Sequence, residues 1–290
     1  RYIRKFLSKK LGHVLPESIP DGKIHCPVCE ISKSTWVNPV SSTLHPLESL
    51  DVLAVDLMGP FQADSINGKR YLLTMKDLGS GFCMAKTLKT KNEANGQIIS
   101  SIQQLEQVTG KRLGVLWSNN GGEFANKVLK TFLTEKGIGF GRSLPYYHYQ
   151  NGVIERFNCT IANMGRTILF DSPLPKQFWS FAFLWAAYVL NRLPNKASGD
   201  LTPYEVMIGH KPQYDVFRVF GSLGYVHVPQ ELRKKLDARA VRGHVVAHLG
   251  MIKGWLLWIP ETGKFLSLAM VCFPKELRDV PVVKPLPTAN

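Results

Sequence analysis

The sequence predicts an α/β fold, a mixed sheet with helices packed on it. Three observations carry that reading. Strand-like and helix-like patterns alternate between about residues 50 and 145. Hydrophobic residues make up 44 % of the 290, enough to bury a real core and to rule out wholesale disorder. Asn67-Gly68, followed by the strand-like run Arg70 to Met75, is a strong hairpin signal.

The elements follow in chain order. Asp51 to Met58 reads as a strand and stops at Gly59-Pro60. Arg70–Met75 and Gly81–Leu88 complete an antiparallel meander. Asn92 to Val108 places Ile98, Ile99, Ile102 and Leu105 at helical spacing, and Gly110 ends that helix. Leu113–Trp117 is a short buried strand. A second helix is predicted over Glu123–Lys136, with Phe124, Val128, Leu129 and Phe132 on one face, and a fifth strand near Ile138–Phe140. From Glu155 a helix continues to about Phe170, with Ile161, Met164, Ile168 and Leu169 on its apolar side. Leu174-Pro175 breaks it. The next helix starts at Phe178 in a thirteen-residue apolar run ending at Leu190, too short for the ~20 residues a membrane span needs. Its aromatic cluster (Phe178, Trp179, Phe181, Phe183, Trp185) fits a core or a protein interface better than a base-stacking surface. Short β-runs then follow at Gly224–Val228, Gly243–His248, Trp255–Ile259 and Lys264–Leu268, the pattern of a small barrel.

Composition narrows the function classes. Lys and Arg number 36 against 22 Asp and Glu, a net charge of +14, which raises nucleic acid as a partner. Five cysteines, an odd number, argue against a disulfide scaffold and for a reducing compartment. The chain opens at Arg1 with no targeting segment in view and closes in a Pro-rich run, so both ends read as cut from something longer. No membrane partner is expected.

Three positions fall where this layout brings strand and helix ends together. Asp56 lies in the first strand on the face of Val52 and Ala54, where a carboxylate is costly unless a cation compensates it. Asn119 follows the fourth strand, in Ser118-Asn119-Asn120-Gly121-Gly122-Glu123-Phe124. Glu155 lies in the first turn or so of the next helix, in Gln150-Asn151-Gly152-Val153-Ile154-Glu155-Arg156, with thirty-five residues between it and Asn119.

Those two local contexts resemble the integrase of copia-type LTR retrotransposons. The resemblance extends through Leu174-Pro175-Lys176-Gln177-Phe178-Trp179, Leu190-Asn191-Arg192, Thr202-Pro203-Tyr204-Glu205, Arg218-Val219-Phe220-Gly221 and Lys234-Lys235-Leu236-Asp237. It covers roughly residues 10 to 276. It implies a ribonuclease-H-like core whose five-stranded mixed sheet carries two Asp and one Glu. These hold two Mg²⁺ or Mn²⁺ ions about 3.5–4 Å apart for 3′-end processing and strand transfer of element DNA into target DNA. Hard cations want anionic oxygen ligands. Asp56, Asn119 and Glu155 take the catalytic positions, with Asp56 and Glu155 as the metal ligands. The implied organisation is a degenerate pre-integrase zinc-binding-like module over 1–45, the catalytic core with a helical extension over 46–210, a small β-barrel DNA-binding-like domain over 211–276 and a linker over 277–290. DNA, a homo-oligomer and the other segments of a parent polyprotein are the implied partners. The nucleus, after a cytoplasmic particle stage, is the implied location.

The sequence departs from that family where chemistry is decided. Asn119 stands where the family has its second Asp, and an uncharged amide does not bridge two ions well. Asp77 and Glu123 are the other acids of the block that might substitute. Trp117 stands where the family usually has Arg, and Phe157 and Cys159 where it usually has basic residues. The reading is therefore an integrase with defective strand transfer. The alternatives are a non-enzymatic DNA-binding or multimerising remnant or host-adopted module, and a simple nuclease of the same fold.

Two further sets of residues bear on function. Cys26-Pro27-Val28-Cys29 is a zinc half-site, tetrahedral Zn²⁺ needing four N or S ligands. The family's His-His-Cys-Cys pattern matches at His13, Cys26 and Cys29, but Ser8 falls where the other His belongs, and plain thiols are the alternative. Cys83, Cys159 and Cys272 have no partner spacing and are expected to be packing residues. The densest cationic cluster, Arg233, Lys234, Lys235, Arg239 and Arg242, precedes the second strand of the barrel and reads as a phosphate contact, with Arg156 on the Glu155 helix as another.

Overall fold

In the computed structural model, five strands form the central sheet in the order β3-β2-β1-β4-β5. They are β1 (Val52–Met58), β2 (Tyr71–Asp77), β3 (Cys83–Leu88), β4 (Val115–Ser118) and β5 (Gly139–Arg142). The structure describes residues 47–118, 124, 126–142, 152–194, 200–214, 217–228, 230–249 and 254–274. The first three strands are the antiparallel meander, while β4 and β5 run parallel to β1, each entered through a helix. The proposed zinc ligands His13, Cys26 and Cys29, and Asn119 and Glu123, lie outside the described residues.

Alternation along β1 and β2 gives the sheet two apolar faces. Leu53, Val55, Leu73 and Met75 point to α1 (Glu93–Thr109) and α2 (Lys127–Lys136). Ala54 and Leu72 point to α3 (Gly152–Asp171) and α4 (Trp179–Leu190). In α1 the buried positions include Ile98, Ile102 and Leu105, and Gly110 closes the helix in the left-handed conformation. Helix α2 corrects the sequence reading, starting at Lys127 rather than Glu123. The Asn126 side chain caps it, accepting from the Val128 N–H at 2.8 Å. That later start turns Val128 outward, 62 % exposed, and buries Leu129 and Leu133 instead. Phe124 is fully buried just ahead of the helix.

Helix α4 is apolar on every side, so a single face of packing cannot shelter it. On one side it meets α3 and β3, and Gly165 of α3 makes the approach close, since a Cβ there would lie 2.9 Å from the Phe183 ring. On the other side lies a second, antiparallel sheet of β6 (Leu223–His227), β7 (Ala240–His248), β8 (Trp255–Ile259) and β9 (Lys264–Leu268), in the order β6-β7-β8-β9. Paired hydrogen bonds between Tyr225 and Cys272 return the chain after β9 to the β6 edge. Phe178 meets Trp258 edge-on at 4.9 Å, and Phe181 stacks on Phe265 at 5.4 Å. The aromatic cluster is thus core, with Phe178 and Phe181 against the chain's own second sheet and Trp179 and Phe183 packed with Phe61. No described helix is long and apolar enough to cross a membrane.

The seam between α4 and β7 carries a titratable group. His248 stacks on Tyr188 at 5.2 Å and meets Trp255 edge-on, while the Arg192 guanidinium lies 3.6 Å over the Tyr188 ring. Burial, and then the Arg192 charge, hold the His248 pKa below its ordinary value. The folded protein therefore keeps His248 neutral where the unfolded chain, with a pKa near ~6.5, takes a proton. Stability is expected to be fully present above about pH 6.5 and to decline as pH falls below it. Urea midpoints measured between pH 8 and 5 should show that decline, and His248→Phe should flatten it over the same window.

Candidate functional site

The acidic site is built where β1, β2 and α3 meet. Asp56 is the fifth residue of β1, the central strand, on the face that α3 covers. Register places Thr74 of β2 directly opposite. From α3, Asn158 reaches down between them. Its amide Nδ2–H donates to Asp56 Oδ2 at 2.7 Å, and its Oδ1 accepts from the Thr74 hydroxyl at 2.7 Å. The same hydroxyl lies 3.2 Å from the Asp56 carbonyl oxygen. Thr74 is fully buried and Asn158 nearly so, so these bonds are made in a low-dielectric setting where an unmade one is costly. Sequence reasoning missed both Asn158 and Thr74 as site residues. The available signal was Asn158 lying three residues after Glu155 on a helix.

Glu155 sits one helical turn before Asn158 and is exposed. The structure thus brings Asp56 and Glu155 to the same end of α3, with Glu155 reaching into solvent. Asn119 lies outside the described residues, but Ser118, the last residue of β4, pairs with Val55 of β1. Among the described residues, no three His, Cys, Asp or Glu side chains gather to hold a metal ion.

Asp77 is not a spare ligand. It is fully buried at the far end of β2, where Oδ1 accepts from the Leu50 N–H at 2.9 Å and Oδ2 accepts from the N–H and hydroxyl of Ser80 at 2.7 and 2.6 Å. Those bonds fix the loop entering β1 and the turn between β2 and β3, so both carboxylate oxygens are engaged in a structural task.

The other substituted positions resolve differently from one another. Trp117 lies across β5, where its ring fills the space above Gly141 and a Cβ on that glycine would come within 2.3 Å of it. Phe157 is buried in the core, with the Lys76 ammonium 5.4 Å over its ring. Phe157 packs in the core between α3 and the sheet. Cys159 is exposed, as is Cys272, so neither is a packing residue. Cys83 is one: its thiol lies 3.2 Å from Asn191 Oδ1, and burial pushes its pKa up to about 12, out of nucleophilic reach.

The cationic residues separate into two places. Lys234, Lys235 and Arg239 are exposed in the loop before β7, where Asp237 accepts from the Lys234 N–H at 2.7 Å and tightens the turn. Arg233 beside them is partly buried. Arg242 is inside β7 rather than before it, exposed and opposite Tyr225. Arg156 is exposed on α3, two residues and so about 200° around the helix from Asn158. It points away from Asp56.

Known proteins share this architecture. The family described as the retroviral polymerase SH3-like domain matches residues 222–282, the second sheet and the chain after it. The chain is 31 % identical over 249 residues to the retrovirus-related Pol polyprotein from transposon TNT 1-94 of Nicotiana tabacum, covering 86 % of this chain and 19 % of that protein. It is also 31 % identical over 269 residues to that from transposon RE2 of Arabidopsis thaliana, covering 91 % of this chain and 18 % of that protein. The chain spans about a fifth of the length of these relatives. Among solved structures, a chain of the simian T-cell lymphotropic virus intasome in complex with PP2A regulatory subunit B56 gamma shares 18 % identity at a TM-score of 0.51, covering 87 % of this chain and 88 % of that one. That likeness supports the ribonuclease-H-like α/β fold.

The Asn158 clamp should be visible in stability. Asn158→Leu removes the donor to Asp56 and the acceptor for Thr74, and should cost about 2–3 kcal/mol of unfolding free energy in a denaturant titration. Asn158→Asp should be worse at pH 7 than at pH 4, because two ionised carboxylates would then face each other.

Proposed function

On the premise that the chain is homologous to one stretch of the retrovirus-related Pol polyproteins of plant copia-type transposons, we propose that it is an integrase region whose strand transfer is impaired. The observation that carries the reading is Asp56 held at the centre of a ribonuclease-H-like sheet, at the foot of the helix that also carries Glu155. An active member would trim a DNA end with water and then let the freed 3′-hydroxyl attack target DNA, helped by two divalent ions.

The donors present do not fit two ions. Two carboxylates and the Asn119 amide leave the pair short of one anionic ligand, and Asp77 is committed elsewhere. Mg²⁺ or Mn²⁺ coordination is therefore impaired, and no step of end joining is assigned to this chain. What the residues can still do is hold DNA. The loop cations Arg233, Lys234, Lys235 and Arg239, with Arg242 on the adjoining strand, form a positive edge suited to backbone phosphates, in keeping with the +14 net charge. A homo-oligomer and the other segments of a parent polyprotein are the expected company. The second reading, a DNA-binding or multimerising remnant without chemistry, is favoured by the same Asn119. Zinc at His13, Cys26 and Cys29 stays part of the proposal for the amino-terminal module, and the nucleus is the proposed site of action.

Two measurements test this reading. Restoring Asn119→Asp should raise joining of an oligonucleotide end to target DNA by at least ~10–100-fold, the scale of losses at perturbed metal sites. Efficient joining by the chain as it stands would overturn the impaired-enzyme reading. Replacing Arg233, Lys234, Lys235, Arg239 and Arg242 together with Ala should flatten the slope of log K against log salt by several units, since each phosphate contact contributes about −0.9. An unchanged slope would remove the cluster from the DNA-binding surface.

A further inference from the structure

A cavity of about 350 Å³ opens on the flank of α3 turned away from the acidic site. Its walls come from β2, the turn into β3, the first two turns of α3 and the end of α4. Helical geometry fixes the separation. The buried stripe of α3 runs through Ile154, Phe157, Asn158 and Ile161, Glu155 lies on one side of it, and Val153, Thr160 and, further out, Arg156 lie on the other.

The lining has a distinct chemistry. Among the described residues that line it, Lys76 and Arg156 are the only charged ones, both cationic, and none is a carboxylate. Neither forms an ion pair among the described residues. Lys76 is held in place by the ring of Phe157 beneath its ammonium, at 5.4 Å. Arg156 folds back along the first turn of the helix, where its Nη1 would lie 3.5 Å from a Cβ on Gly152. There it adds to the positive end of a twenty-residue helix. The Thr160 hydroxyl donates to the Arg156 carbonyl at 2.9 Å, so its proton is already spent and the cations alone face the opening. Below them the floor is apolar, with Cys83, Phe157 and Leu190. Two like charges lining one cavity favour an anion there.

We propose that this cavity binds a nucleoside 5′-phosphate unit, the phosphate between Lys76 and Arg156 and the base against the apolar floor. The volume suits such a unit, at the small end of the range for ligand sites. Tetrahedral phosphate matches a guanidinium fork paired with a point-charge ammonium. Among the described residues, neither Asp56 nor Glu155 lines the cavity.

Calorimetric titration of the full chain with thymidine 5′-phosphate, thymidine and inorganic phosphate tests it. The nucleotide should bind saturably and at least tenfold more tightly than either fragment alone. Arg156→Gln, at an exposed position that spares the fold, should weaken nucleotide binding by about 10–100-fold, and adding Lys76→Met should abolish it. Circular dichroism of each variant checks that folding is intact. The phosphorylated dinucleotide pTpT separates the two sources of such a unit. Tighter binding than the mononucleotide assigns the cavity to a strand, and equal binding assigns it to a free nucleotide, and either supports the cavity. No saturation, thymidine or inorganic phosphate binding as tightly as the nucleotide, or a well-folded double variant that binds like the parent overturns the proposal. Because the titration involves no joining, an inactive carboxylate site does not affect its outcome.

Discussion

A helix with no polar face has to be covered all the way round, and the rest of this structure is arranged around that need. Helix α4 buries Trp179 through Phe183 and Trp185 through Ala187. Each large apolar side chain among them contributes about 1.5–3 kcal/mol when fully removed from water. The central sheet and α3 can cover only half of the helix. The β6–β9 sheet covers the other half, and its Val245, Leu257 and Ile259 belong to the same continuous core as Phe178 and Ala182. The chain after α4 is thus tied to the core by burial, and the charged edge on β7 and its preceding loop is carried at a fixed place.

On the other side of α3, the same demand for burial is met by polar means. Asp56 sits on the central strand because the sheet puts every second residue of β1 under α3. A carboxylate in that position needs hydrogen-bond partners, and Asn158 reaches down to supply one. Asn158 is in turn set by Thr74, directly across the strand pair. The result is a carboxylate held in one orientation by three elements, next to a Glu155 that extends into solvent. The structure thus holds one acid precisely and leaves the other free in solvent. Asp77, on the same sheet, has both oxygens engaged by the Leu50 N–H and by Ser80 of its own turn.

The positive charge is likewise sorted by the fold. Arg156 and the Lys234 region, equivalent as cations in the sequence, have different surroundings. The loop residues are solvated and crowded together, suited to a polymer backbone read by charge alone. Arg156 lines, with Lys76, a hollow that also has apolar lining. That second cation comes from β2, 80 residues earlier in the chain, and only the packing of Phe157 under its ammonium brings it there.

The sequence alone determined the α/β class, the order of the core elements and the placement of Asp56 and Glu155 at element ends. Alternation of apolar residues and glycine or proline stops encode local conformation directly, and Asp56 stood out as an acid on an apolar strand. It also exposed Asn119, because a residue type is legible without coordinates. Local patterns misplaced the start of α2, since Phe124 is apolar and buried without belonging to that α-helix, and the cap at Asn126 sets the boundary. They misread Cys159 as a packing residue, because a helix shows which residues share a face but not which face meets the sheet. Tertiary structure alone decided that Asn158 and Thr74 hold Asp56, that Asp77 is spent on a turn, and that Lys76 and Arg156 line one cavity. Each of these joins residues on different elements, and a contact between distant segments is set by the packing of whole faces, which no single stretch of sequence contains.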